Sequence, residues 1–365
     1  MSGEIIRGAI DCDVHVEPAS LEKLHGYFSP YWHDFFRGAR MSLSSARMYP
    51  PNAPSSARPE ARASGSFPPH TLAELQSQLL DVYRPEAAIL NCVVSFVAGK
   101  NPYYQDAVCH AVNEWIRDEW LDHDDRLRAS IVVPTLDPEA AAVEIDRLAQ
   151  DKRFVQVLLP VATETPWGNV RWRAIHEAAA RNGLPIALHA WGAIGTAATA
   201  TGYTRSYFED YVLNSQHSAP EQVLSLVTEG VFDRHPELMV SLVECGFSWI
   251  PSLMWQFDKD WKSLWREVPW LKMRPSEYIR KHFRATTTPT HIPADVPAVQ
   301  VAQVGSMLNA AEFLMYSSDY PHDHGPDSLE ALLDSVGDAG REAILRGNAT
   351  SFYALGERAS AGAAG

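Results

Sequence analysis

Short apolar runs alternating with amphipathic helical patterns predict an α/β fold for this 365-residue chain. The expected architecture is a closed (β/α)8 TIM barrel with a long insertion after strand 1 and a Trp-rich helical segment after strand 6. Three observations support it. The runs mostly lack polar alternation, as strands buried on both faces of a parallel sheet do. Strand-helix repeats imply right-handed βαβ units. No GxGxxG follows the first run, which argues against a doubly wound sheet.

In chain order the expected strands cover 8–13, 87–95, 129–134, 154–160 and 184–190, then 238–244, 283–289 and 313–319. Helical patterns begin at Tyr103, Pro138, Val170 and Ala219, and Gly183 and Gly230 act as helix stops. Residues 1–357 read as a single domain. Within it, 38–70 is rich in Ser, Pro and Arg, as expected of a lid or an arm to a neighbouring subunit. Residues 248–282 hold Trp249, Trp255, Trp261, Trp265 and Trp270, which implies packing with an exposed part available for oligomer contact. The tail 358–365 is expected to be disordered.

A net charge of -14 with no dense Lys/Arg run argues against nucleic acid and anionic membrane surfaces as partners. A small-molecule substrate remains, with assembly into a homo-oligomer or a hetero-oligomer with a related subunit. The opening residues carry no apolar signal-peptide core, and no stretch reaches the ~20 apolar residues that span a bilayer. Four cysteines without CxxC spacing read as reduced thiols, so the expected compartment is the cytoplasm.

Barrel enzymes place their chemistry where strands end. Here those ends carry Asp13-Val14-His15, His189, Glu244 and Asp319. Residues i and i+2 of a strand share a face, so Asp13 and His15 both point to the mouth. Each piece alone has an ordinary explanation: a surface pair, a core histidine, an Asx turn. Two imidazoles and three carboxylates together form an N/O donor set for zinc, manganese or iron.

These motifs, with "SSDYPH", "FVQVLLP", "AAARNGLPIALH", "EGVFDRHPELMVSLVECGFSW" and "RGNATSFYAL", resemble the metal-dependent amidohydrolase superfamily. The similarity spans about residues 8–355 and is narrower to the branch containing aminocarboxymuconate semialdehyde and resorcylate decarboxylases. It implies a distorted TIM barrel and a divalent metal on Asp13, His15, His189 and Asp319. Two departures stand out. Many decarboxylases of the branch begin with His-x-His or Glu-x-His, where this chain has Asp13-x-His15. Many carry a histidine after strand 6, where this chain has Glu244.

The expected activity is metal-activated hydrolysis or non-oxidative decarboxylation, with Asp319 as general base and Glu244 or His322 relaying protons. One alternative is a pair of ions, with Glu244 and either His322 or His324 as further ligands. The resemblance would then allow a dinuclear iron or manganese monooxygenase. Another is a metal-binding accessory subunit of such an enzyme. Trp191, His217 and Arg205, with Tyr203, are candidates for substrate contact. Asp323 is expected to orient a histidine. His110, His123, His176 and His235 read as surface or packing residues, and Cys12 and Cys245 as packing.

Overall fold

The computed structural model describes residues 3–39, 50, 52–65, 67–93, 101–190 and 205–356. Its centre is a sheet of eight parallel strands in sequential order. These are β1 (Ile10–His15), β2 (Ala87–Asn91), β3 (Leu127–Val132), β4 (Phe154–Pro160), β5 (Ile186–His189), β6 (Val240–Val243), β7 (Phe283–Thr286) and β8 (Leu314–Met315). The first and last strands meet. Cys12 N donates to Tyr316 O at 3.0 Å and His15 N to Tyr320 O at 2.7 Å, so the sheet curls into the expected (β/α)8 barrel.

Nearly every strand residue is buried, because helices cover the outer face and side chains fill the interior. The helices start and stop for local reasons. Asp137 caps Pro138–Leu148 by accepting from the amides of Glu139 and Ala140, and Asn101 caps Pro102–Ile116 in the same way. Both have proline in the first turn, where a missing N–H costs nothing. Gly183 and Gly230 end their helices with positive φ. At Gly230 a Cβ would also sit 2.6 Å from Trp270, so this corner requires glycine twice over.

Two strand ends differ from expectation. β8 is two residues long and stops well short of Asp319. Beyond Met315 the chain stays beside β1 but the regular ladder ends: Tyr316 N bonds Ile344 O, and Ser318 N and Oγ both bond Asp11. β6 stops at Val243 because Glu244 takes φ 57°, which a strand cannot continue.

The Trp-rich segment divides as its composition implies. Trp249 and Trp261 pack on the core, while Trp255, Trp265 and Trp270 are exposed. Part of the 38–70 insertion is described. Residues 53–64 lie on the loop after β8, with Arg58 N donating to Pro321 O at 2.7 Å and Asp323 N to Ser55 O at 3.1 Å. The tail expected to be disordered lies outside the described residues. Among the described residues, no helix is long and apolar enough to cross a membrane.

His176 packs inside, as its helical setting implies, and burial pushes its pKa down to about 3. The unfolded chain binds this proton near pH 6.5, so stability contributed by the neutral ring is lost as pH falls below that value. Chemical denaturation is expected to show a loss of about 2 kcal/mol from this group between pH 7 and 5. A His176→Gln variant should flatten that slope; an unchanged slope would refute the assignment.

Candidate metal centre

The ligand types predicted at the strand ends converge on one buried cluster. Asp13 and His15 leave β1, His189 ends β5, Glu244 follows β6, and Asp319 lies in the loop after β8. All five are buried. Asp13, His15, His189 and Glu244 offer ligand atoms lying within 4.8 Å of one another, and so do His15, Glu244, Asp319 and His322.

Asp13 stands at the centre of the first group. Its Oδ1 lies 3.4 Å from His189 Nε2 and 3.5 Å from His15 Nε2, and accepts from Asn91 Nδ2 at 2.8 Å. Its Oδ2 is buried with no hydrogen bond. His189 Nδ1 donates to Ala190 O at 2.7 Å, which leaves Nε2 as the nitrogen with the free lone pair in the neutral ring. Asp319 organises the second group. It accepts from His322 Nδ1 at 2.9 Å on Oδ1 and from His324 Nε2 at 2.6 Å on Oδ2, and His15 Nε2 lies 2.9 Å from Oδ1 as an ion pair.

Both Glu244 and Asp319 adopt positive φ, at 57° and 55°. Non-glycine residues seldom pay this conformational cost, and it aims two carboxylates back into the barrel mouth. Glu244 is pinned there by its own N–H, which donates to Thr286 Oγ1 at 3.1 Å.

The electrostatics favour a cation. Burial alone would lower the pKa of His15, but Asp13 and Asp319 outweigh it and push the value up to about 9. Burial alone would raise the Asp319 carboxyl, but His322, His15 and His324 together hold it well below the usual carboxylate range. The cluster thus binds a positive charge at His15 even from protons alone. A buried N/O set with one carboxylate oxygen lacking any donor fits a divalent ion such as manganese, zinc or iron.

His322 and His324 also line a cavity of about 290 Å3 shared with Arg58, Thr288, Ser318 and Glu330. The two imidazoles therefore bridge buried Asp319 and an outer chamber. His324, expected only as a possible second-ion ligand, bonds Asp319 as directly as His322 does. Asp323 accepts from Gly325 N at 3.0 Å, shaping the turn that carries His324.

The expected substrate contacts fare differently. Arg205 is exposed and ion-paired to Glu209 at 3.1 Å, because its helix start faces solvent. His217 is likewise exposed, on the turn before Ala219–Thr228. Neither joins the cluster. Trp191 and Tyr203 lie outside the described residues. Cys12 and Cys245 are packing residues, as expected: both are fully buried, and burial raises each thiol well above its ordinary pKa, with neighbouring carboxylates adding to the rise. Sequence reasoning missed Asn91, although its signal was visible as one amide closing the otherwise apolar run "AAILN".

Fold and cluster together define a class: a parallel (β/α)8 barrel with a candidate divalent-metal centre at the carboxyl ends of its strands. The chain belongs to the amidohydrolase family, whose model matches residues 10–355. It is 24% identical over 320 residues to gamma-resorcylate decarboxylase of Rhodococcus jostii (strain RHA1), covering 77% of this chain and 90% of that one. Among solved structures, a 2,6-dihydroxybenzoate decarboxylase complexed with 2,6-dihydroxybenzoate aligns with TM-score 0.63 and 18% identity, over 95% of this chain and 99% of that one. The dihydroxybenzoic acid decarboxylase of Polaromonas sp. JS666, with bound manganese and 2-nitroresorcinol, aligns with TM-score 0.62 and 17% identity, over 96% and 98%. These relatives lend the monooxygenase alternative no support.

Proposed function

We propose that this chain is a divalent-metal-dependent decarboxylase that removes the carboxyl group of a small aromatic acid without net oxidation. The observation that carries this reading is Asp319, buried and held by three imidazoles, beside the Asp13, His15 and His189 donor set. The decarboxylase relatives and the manganese bound by one of them support it.

Asp13, His15 and His189 would hold the ion, with Glu244 and Asp319 completing the set. The bound ion supplies a positive charge that draws electron density toward the substrate's oxygens. In the reaction, the bond between ring carbon and carboxyl carbon breaks and its electron pair stays on the ring carbon. That carbon takes up a proton, and carbon dioxide leaves. Asp319 is kept ionised by its imidazole partners, so the proton rests on histidine and passes through Asp319 to the ring carbon. His322, bordering the outer cavity, resupplies it. Amide or lactone hydrolysis would draw on the same base.

The test is carbon dioxide release from 2,6-dihydroxybenzoate and related hydroxybenzoates by manganese-loaded protein expressed alone, beside a panel of lactones and amides. Release from a hydroxybenzoate supports the reading and excludes a purely accessory role. Hydrolysis of the panel without any carbon dioxide release overturns it.

A second reading, two ions rather than one, draws on a separate observation: two four-residue groups overlap at His15 and Glu244. A chain with two ions is expected to hold two equivalents of manganese at saturation, falling to one in Glu244→Ala. One equivalent in both proteins would establish a single-ion centre.

A further inference from the structure

The barrel interior beneath the cluster is polar, and its hydrogen bonds run in one direction. Asn91 Nδ2 donates to Asp13 Oδ1 at 2.8 Å. Ser130 Oγ donates to Asn91 Oδ1 at 2.5 Å, and Gln156 Nε2 donates to Ser130 Oγ at 2.9 Å. Gln156 Oε1 in turn accepts from Ser241 Oγ at 3.1 Å and from Tyr353 OH at 3.0 Å. All six residues are fully buried.

The direction follows from one acceptor. Asp13 Oδ1 accepts from Asn91 Nδ2, so the Asn91 oxygen is turned to Ser130. Ser130 spends its proton on that oxygen and must accept from Gln156. The Gln156 oxygen is then left to accept two hydroxyl donors. Reversing any link would set two acceptors against each other in a dry interior, where an unmade bond is costly.

We infer that Asn91, Ser130 and Gln156, fed by Tyr353, are positioning residues that hold the Asp13 carboxyl with Oδ1 engaged and Oδ2 left for the metal. The inference rests on Asp13 being a metal ligand. It explains why four strands that need only apolar side chains for packing each give up one interior position to an amide or a hydroxyl. Asp13 Oδ1 is occupied by Asn91, and Oδ2 has no hydrogen bond. The chain also ties Tyr353, far along the sequence, to the centre of the site.

The experiment is manganese affinity of the metal-free, folded protein at fixed pH, alongside its unfolding midpoint without metal. Asn91→Leu is expected to weaken binding about 10- to 100-fold, the range for lost outer partners of a ligand. Ser130→Ala, a smaller change that keeps the fold if Asn91→Leu does not, should weaken it about three- to tenfold by leaving Asn91 free to turn. Ser241→Ala is the control: it lowers the unfolding midpoint as Ser130→Ala does, but Tyr353 still supplies Gln156, so affinity should stay within about twofold. The inference falls if Ser130→Ala binds manganese like the wild type, or if Ser241→Ala weakens it equally, since that would be general loosening of the core. A wild-type chain that takes up no divalent ion overturns the metal-centre reading itself, and this inference with it.

Discussion

Asp319→Asn is expected to lower kcat by about a thousandfold, within the range general acid–base groups contribute. The substitution isolates chemistry from folding. Asn tolerates the left-handed backbone that Asp319 adopts at φ 55°, so the loop after β8 keeps its path. What changes is charge and acceptor capacity. The carboxylate accepts from His322 and His324 and pairs with His15 at 2.9 Å. An amide offers a single oxygen, which leaves an imidazole N–H without its acceptor and removes one of the negative charges that push the pKa of His15 up. Activity should be measured as carbon dioxide release at matched metal content, with circular dichroism confirming the fold. A kcat within tenfold of wild type would show that Asp319 carries no proton.

His189→Ala should weaken divalent-metal binding by about 100-fold or more, beyond what loss of an outer partner causes. His189 presents Nε2 to the space beside Asp13, and its Nδ1 bond to Ala190 O fixes that orientation. Alanine removes this nitrogen donor, which lies 3.4 Å from Asp13 Oδ1, from the ligand group shared with Glu244. The readout is linkage. With manganese at 100 times the wild-type Kd, the wild type should gain about 2.7 kcal/mol of stability and the variant only about 0.4 kcal/mol. Equal gains in the two proteins would remove His189 from the ligand set.

Most of the fold and the core of the site were legible in the sequence, for a local reason. A parallel strand buried on both faces must be a short apolar run, and a helix covering it must repeat its apolar face every three to four residues. Both are written in consecutive residues, so even β7, "FRAT" directly after the helix Pro275–His282, could be placed between its neighbours. A ligand at a strand end is local too. Asp13, His15, His189 and Glu244 each stood out as a polar group closing an apolar stretch, and the closed barrel then brought them together.

What the sequence could not convey was relation across strands. "FLMYSSD" reads as one strand, yet its regular ladder ends at Met315, because Ser318 finds Asp11 and Tyr316 N finds Ile344 only in the folded barrel. His322 and His324 look alike by spacing, and only the turn decided that both would hold Asp319. Asn91, Ser130, Gln156 and Ser241 appeared as isolated polar residues in four separate runs, without a shared meaning. By itself the sequence determined the alternation of strand and helix and the donor types at the strand ends, since both depend on neighbours along the chain. The tertiary structure alone decided which donors converge, which oxygen of Asp13 is left for a metal, and how a buried chain of amides and hydroxyls points at it. Those outcomes depend on hydrogen-bond partners that are distant in sequence and adjacent only once the barrel closes.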